Sequence, residues 1–174
     1  MTLQQVEGYA LGDDDIAKML PNTHIFTYPY LKNVKNIDEV FDDDGRAVML
    51  YLTENDHTGH WVGLLRKPDH IEFFDPYGEK PDNELQWASG GLRKELGINQ
   101  PILTKLLRQS EVPVIYNKTP YQKEKDSIET CGRHTASRLL FNHLSLPQYH
   151  DMIKKSKLDA DDFVAGLTYP LIHK

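Results

Sequence analysis

The sequence predicts an α+β domain, a small central sheet with helices packed on it. Three observations carry that reading. Strand-like runs cluster in the middle of the chain. Apolar residues recur at helical spacing further on. No repeat, low-complexity tract or linker divides the 174 residues, so residues 1–174 are expected to form one domain.

The elements follow in order. DDDIAKML, 13–20, reads as a short helix with its carboxylates at the positive end. DDDG, 42–45, is a turn, and AVMLYLT, 47–53, a buried strand. ENDHTGH, 54–60, reads as a polar loop. HWVGLL and HIEFFD are two strands joined by RKPD. PYGEKPD, 76–82, is punctuated as a loop. QPILTKLLRQS, 100–110, places Ile102, Leu103, Leu106 and Leu107 on one helical face. VPVIY, 112–116, is a short strand, and NKTPYQKEKD, 117–126, a polar loop. From Cys131 onward, Ala136, Leu139, Leu140, His143 and Leu144 keep helical spacing, so a helix is expected to run to Pro147. Segments at about 148–157 and 159–167 add two more helices. The first 40 residues show no readable chemistry, and the tail after 145 reads as packing.

Composition narrows the function classes. Hydrophobic residues are 39% and charged residues 26%, as in ordinary soluble domains. No apolar run approaches a membrane span, and MTLQQVEGYALGDDD does not resemble a signal peptide. One cysteine excludes an internal disulfide and a four-cysteine zinc site, and suits a reducing compartment. A net charge of -6 disfavours nucleic acid as a general partner, although Lys118, Lys123 and Lys125 form a local basic patch.

The lone Cys131 opens a helix and precedes Gly132. Unpaired N–H groups and the positive helix end favour a thiolate there, and Gly132 leaves room for a substrate backbone. A nucleophilic thiol also needs a base with an orienting partner. Among eight histidines, His60 is the best placed. A two- or four-residue hairpin connection puts His60, Val62, Leu64, Ile71, Phe73 and Asp75 on one face. A three-residue connection would bring Glu72 to that face and part His60 from Asp75. Burial favours the first register, with Asp75 roughly 4.5–8 Å from His60 between Cβ atoms. His134 neighbours Cys131 on the same helix and reads as structural, with Glu129 or a distant residue as its only carboxylate partner. His143 falls on the apolar face and reads as a core histidine. His57 and His60 form H-x-x-H, but no second ligand pair accompanies them, so no metal is expected. For a tetrahedral oxyanion, the Cys131 N–H is one donor and the Gln122 side-chain amide the candidate second.

The order His60, Asp75, Gln122, Cys131, with the motifs GHWVGLL, FFDPYG, YQ and TCGRH, resembles the adenain-like and ubiquitin-like-protein-specific cysteine peptidases over residues 47 to 144. TCGRH looks most like maturation proteases of DNA viruses and virophages. The resemblance implies a papain-like fold with a mixed sheet and the cysteine at the start of a central helix. It implies a His60–Asp75–Cys131 triad, a Gln122 oxyanion role and a site shaped by Trp61. The implied activity is cleavage of viral capsid or virion precursors, after small residues such as glycine, in the virion or the host-cell cytoplasm. Relatives use DNA and a disulfide-linked peptide as cofactors. With no spare cysteine and an acidic charge, neither is expected here. Three alternatives stay open: a ubiquitin- or SUMO-directed protease, an effector acyltransferase on the same framework, and a non-enzymatic peptide-binding domain.

Overall fold

The computed structural model describes residues 1–54 and 59–173, so His57 lies outside the described residues. The architecture is α+β. Five strands, β1 (His24–Thr27), β2 (Arg46–Leu52), β3 (Gly59–Arg66), β4 (Ile71–Phe74) and β5 (Val114–Tyr116), form one mixed sheet in chain order. The inner strands β2, β3 and β4 are antiparallel, while β1 and β5 join the edges in parallel. Among the described residues, seven α-helices flank it: α1 (Leu3–Glu7), α2 (Asp13–Met19), α3 (Gly90–Leu96), α4 (Ile102–Gln109), α5 (Cys131–Leu140), α6 (Leu146–Ser156) and α7 (Ala160–Ile172).

The β3–β4 hairpin has the expected register. Leu64 pairs with Phe73 and Arg66 with Ile71, which puts His60, Val62, Leu64, Ile71 and Phe73 on one face. That face joins Met49 and Tyr51 of β2 and Leu103 and Leu106 of α4 in one core cluster. The opposite face carries Val48, Leu50, Trp61 and Leu65, which pack with Ala136 and Leu139 of α5. Gly63 sits between sheet and helix. A Cβ there would lie 2.7 Å from Leu139 Cδ1 and 3.2 Å from Thr135 Cγ2, so the lack of a side chain at residue 63 lets α5 pack closely on β3. The Thr135 hydroxyl then donates to the Trp61 carbonyl at 3.1 Å.

Three elements depart from the sequence-based expectation. β3 begins one residue early, at Gly59, which is not loop. Helix α5 stops at Leu140, and His143 is exposed rather than in the core. The reason is local. Ser145 caps α6 reciprocally with Gln148, and Pro147 occupies its first turn, where a missing N–H costs nothing. Pro147 therefore starts a helix instead of ending one. Helix α7 also runs past 167 to Ile172.

Burial of Glu72 was not legible either. It points away from the His60 face yet is 1% exposed. Arg138 of α5 donates to both its oxygens, at 2.8 and 2.9 Å, and stacks its guanidinium over Tyr149. A buried bidentate pair does little net stabilising beyond an apolar one, but a half-pair is costly. Glu72→Ala should lower unfolding free energy by about 3–5 kcal/mol, measured by urea denaturation.

Candidate active site

Four segments converge at the end of the sheet where β3 begins. The ring of His60 is fixed first. Its Nε2 lies 2.6 Å from Asp75 Oδ1, and Tyr77 stacks on it at 4.9 Å and 16°. Trp87 meets it edge-on at 5.5 Å. With Nε2 committed to Asp75, Nδ1 is the other ring nitrogen, and Cys131 lies near enough to the ring to act on its basicity. Burial pulls the imidazole down. The Asp75 hydrogen bond and the neighbouring Cys131 outweigh it and hold His60 well above the usual histidine range.

Asp75 is fully buried but not starved of donors. Its Oδ1 accepts from the Tyr77 N–H at 3.1 Å and its Oδ2 from the Glu79 N–H at 3.0 Å. Asn117 clamps its backbone from both sides, at 2.9 and 2.5 Å. The DPYG sequence makes this possible: a turn closed by Gly78 N–H to the Asp75 carbonyl at 2.8 Å folds the following amides back onto the carboxylate.

Cys131 is the first residue of α5 and is 8% exposed. The Thr130 hydroxyl does not cap the helix; it donates to Asp161 at 2.6 Å. The first amides of α5 are therefore left without a side-chain cap at the sulfur. The space over Gly132 is filled. A Cβ there would meet Leu11 and Trp61, each at 3.2 Å. Trp61 donates its indole N–H to the Leu11 carbonyl at 3.0 Å. Trp61, Leu11, Gly12, Thr27, Leu50 and Glu129 line a groove of about 610 Å³. Part of the N-terminal region, which the sequence left without a role, thus forms one wall of a groove shared with Trp61 and Glu129.

Gln122 is brought to the same end. Its backbone N–H and that of Tyr121 donate to the Pro76 carbonyl at 3.0 and 2.8 Å. The side chain is buried: Nε2 donates to the Ile128 carbonyl at 3.3 Å, and Oε1 has no partner among the described residues. All six residues singled out from the sequence, His60, Asp75, Gln122, Cys131, Trp61 and Gly132, lie in this one region. The basic patch thins, because Lys123 is paired with Asp159.

Two residues at the site escaped sequence reasoning. Glu84 arrives on a 3-10 segment, Asn83–Trp87, from a stretch without periodicity. It is 1% exposed, and its Oε2 lies 3.5 Å from His60 Nε2. Neither oxygen completes a normal hydrogen bond among the described residues. Burial drives its pKa up; His60 opposes this, while Asp75 and Glu79 add to it, leaving it at about 9. Glu84 is thus a neutral acid at pH 7. His60, Asp75 and Glu84 also have their possible ligand atoms within 4.8 Å of one another, but a cation would have to displace the His60–Asp75 bond. The second residue is Asp161 of α7. It supplies the carboxylate partner of His134, at 2.8 Å, in place of Glu129.

His134 is fully buried and its Nδ1 has no hydrogen-bond partner among the described residues. Burial lowers its pKa, against the opposing pull of Asp161, so it is a neutral ring donating through Nε2.

The fold and site define an α+β protein with a buried cysteine–histidine–aspartate cluster at the tip of a central helix. The chain is 34% identical over 172 residues to the uncharacterized protein V9 of Sputnik virophage, covering 95% of this chain and 98% of that one. It belongs to the family of that virophage protein. No family model matches it. The central domain of the uncharacterized Lpg1148 protein from Legionella pneumophila aligns with a TM-score of 0.43 at 18% identity, over 95% of this chain and 99% of that chain. That likeness is too loose to define a shared fold.

Two titrations follow. A carboxyl whose pKa is raised by folding stabilises fully below its unfolded value and loses that contribution as pH rises toward the folded one. For Glu84 the window runs from 4.5 to about 9. Glu84→Gln should therefore raise stability at pH 8, on the order of 2–4 kcal/mol, in thermal unfolding. His134 has the opposite sign. Its depressed pKa stabilises above the ordinary value of 6.5, and the contribution is lost as pH falls below that. His134→Gln should flatten the decline in Tm on acidification below pH ~6.5.

Proposed function

We propose that the chain is a cysteine endopeptidase on a papain-like, adenain-type framework, cleaving viral capsid or other virion precursors during maturation. The observation that carries this reading is His60, held by Asp75 at 2.6 Å, with Cys131 beside the ring at the head of α5. The raised basicity of the ring favours transfer of the thiol proton to His60, leaving a thiolate–imidazolium pair. The thiolate attacks the scissile carbonyl carbon. The Cys131 N–H and, after its amide turns from Ile128, Gln122 stabilise the oxyanion. The C–N bond breaks as His60 gives its proton to the leaving amine. Water, deprotonated by His60, then hydrolyses the thioester and restores the thiol.

The groove supports a substrate preference. Leu11 and Trp61 crowd Gly132, so the residue before the cut should be small, typically glycine. Kinship with a virophage protein supports a viral precursor as substrate, in the virion or the infected cell's cytoplasm, over a host ubiquitin-like protein. Among the described residues no helix is long and apolar enough to cross a membrane.

The test is incubation with a capsid precursor and a peptide library, with mass spectrometry of the cut sites. Cleavage after small residues is expected. Cys131→Ala should abolish it, by at least about 10³-fold, with the circular dichroism spectrum unchanged. Undiminished cleavage by Cys131→Ala defeats the mechanism. Cleavage of ubiquitin-like reporters alone redirects the substrate, and acyl transfer from acetyl-coenzyme A redirects the reaction.

A further inference from the structure

Asp161 sits in the first turn of α7, 1% exposed, and its two oxygens face different segments. Oδ1 accepts from the Thr130 hydroxyl at 2.6 Å and from His134 Nε2 at 2.8 Å. Those residues flank Cys131 at the head of α5. Oδ2 accepts from the backbone N–H of Lys123 at 3.2 Å, the residue after Gln122. A second strut runs parallel to it, from the Lys123 ammonium to Asp159.

We propose that Asp161 is a positioning residue that braces the Gln122 segment against the head of α5, so that the side-chain and backbone donors of the oxyanion site face one point. The inference rests on the proposed peptidase reading. Asp161 does not touch the sulfur or the His60 ring in any hydrogen bond, so thiolate formation does not depend on it. Oxyanion stabilisation does, because a donor displaced by ~1 Å loses most of its effect. The chemistry of the brace is specific. Asparagine has the same shape and can still accept from Thr130 and His134. Its amide nitrogen would then confront the Lys123 N–H, donor against donor.

The experiment compares wild type, Asp161→Asn and Thr130→Val. The second variant cuts a different arm and guards against misfolding of the first. Cys131, as the sole thiol, is titrated with iodoacetamide; peptide cleavage gives kcat and KM; amide exchange reads residues 121–129. In Asp161→Asn, alkylation should stay within about twofold of wild type. Its kcat should fall on the order of 10–100-fold, with KM changed less than about threefold. Exchange at 121–129 should rise while α6 is unaffected. Thr130→Val should lower kcat in the same direction. Unchanged kcat in Asp161→Asn overturns the proposal. So does a loss of alkylation matching the loss of turnover, which would put the effect on the nucleophile. If wild type cleaves no peptide, the peptidase reading fails by itself; the brace is then decided by exchange, and unchanged exchange at 121–129 rejects it.

Discussion

Helix α5 lies against β3 because residue 63 has no side chain. A Cβ there would lie 2.7 Å from Leu139 Cδ1 and 3.2 Å from Thr135 Cγ2, so a side chain at 63 would force both to shift where helix and strand meet. The same meeting point is pinned by the Thr135–Trp61 hydrogen bond. The strand carries His60 and the helix carries Cys131, so the close approach at residue 63 helps hold the two elements that bear them together.

The helix that benefits is an unusual core element. Residues 131 through 139 are all buried, yet they include two arginines, a histidine, a serine and a threonine. Apolar surroundings cannot accept such groups unpaired. Each therefore draws a partner from elsewhere: Arg138 from Glu72, Arg133 from the Thr168 hydroxyl at 2.9 Å, Ser137 from the Tyr149 hydroxyl at 2.8 Å, Thr135 from the Trp61 carbonyl, and His134 from Asp161, which also accepts from Thr130 just before the helix. Burial of a polar helix thus ties α6, α7 and β4 to the residues around the thiol. That coupling makes the interior specific, at the cost of sensitivity to loss of any single partner.

The parts of the site that could be read in the sequence share one property: they depend on short-range periodicity. Alternation in the hairpin placed His60 and Asp75 on one face, because side chains of a strand repeat every second residue and burial chooses between registers. The helix head at Cys131 followed from spacing in the residues after it. What could not be read depends on distance in the chain. Glu84 lies in a segment with no periodic signal, and only the fold sets it beside His60. Asp161 is 30 residues from the sulfur in sequence and reads as an ordinary acidic residue in a first helical turn. Glu72 shows the same limit from the other side. Alternation assigned its face correctly, but its burial waited on Arg138. The outer strand β1 is four residues long, too short to announce itself, and His143 misled because the Ser145 cap begins a new helix before the apolar spacing ends.

Because α7 follows all other elements of the fold in chain order, a polypeptide emerging from the ribosome presents the hairpin and the cysteine helix well before it presents Asp161. For the interval in which residues past 150 are still inside the exit tunnel, Thr130, His134 and the Lys123 amide have no common acceptor. The tie between the segment at 121–123 and the head of α5 is therefore a late event of synthesis, formed only once α7 has delivered its carboxylate.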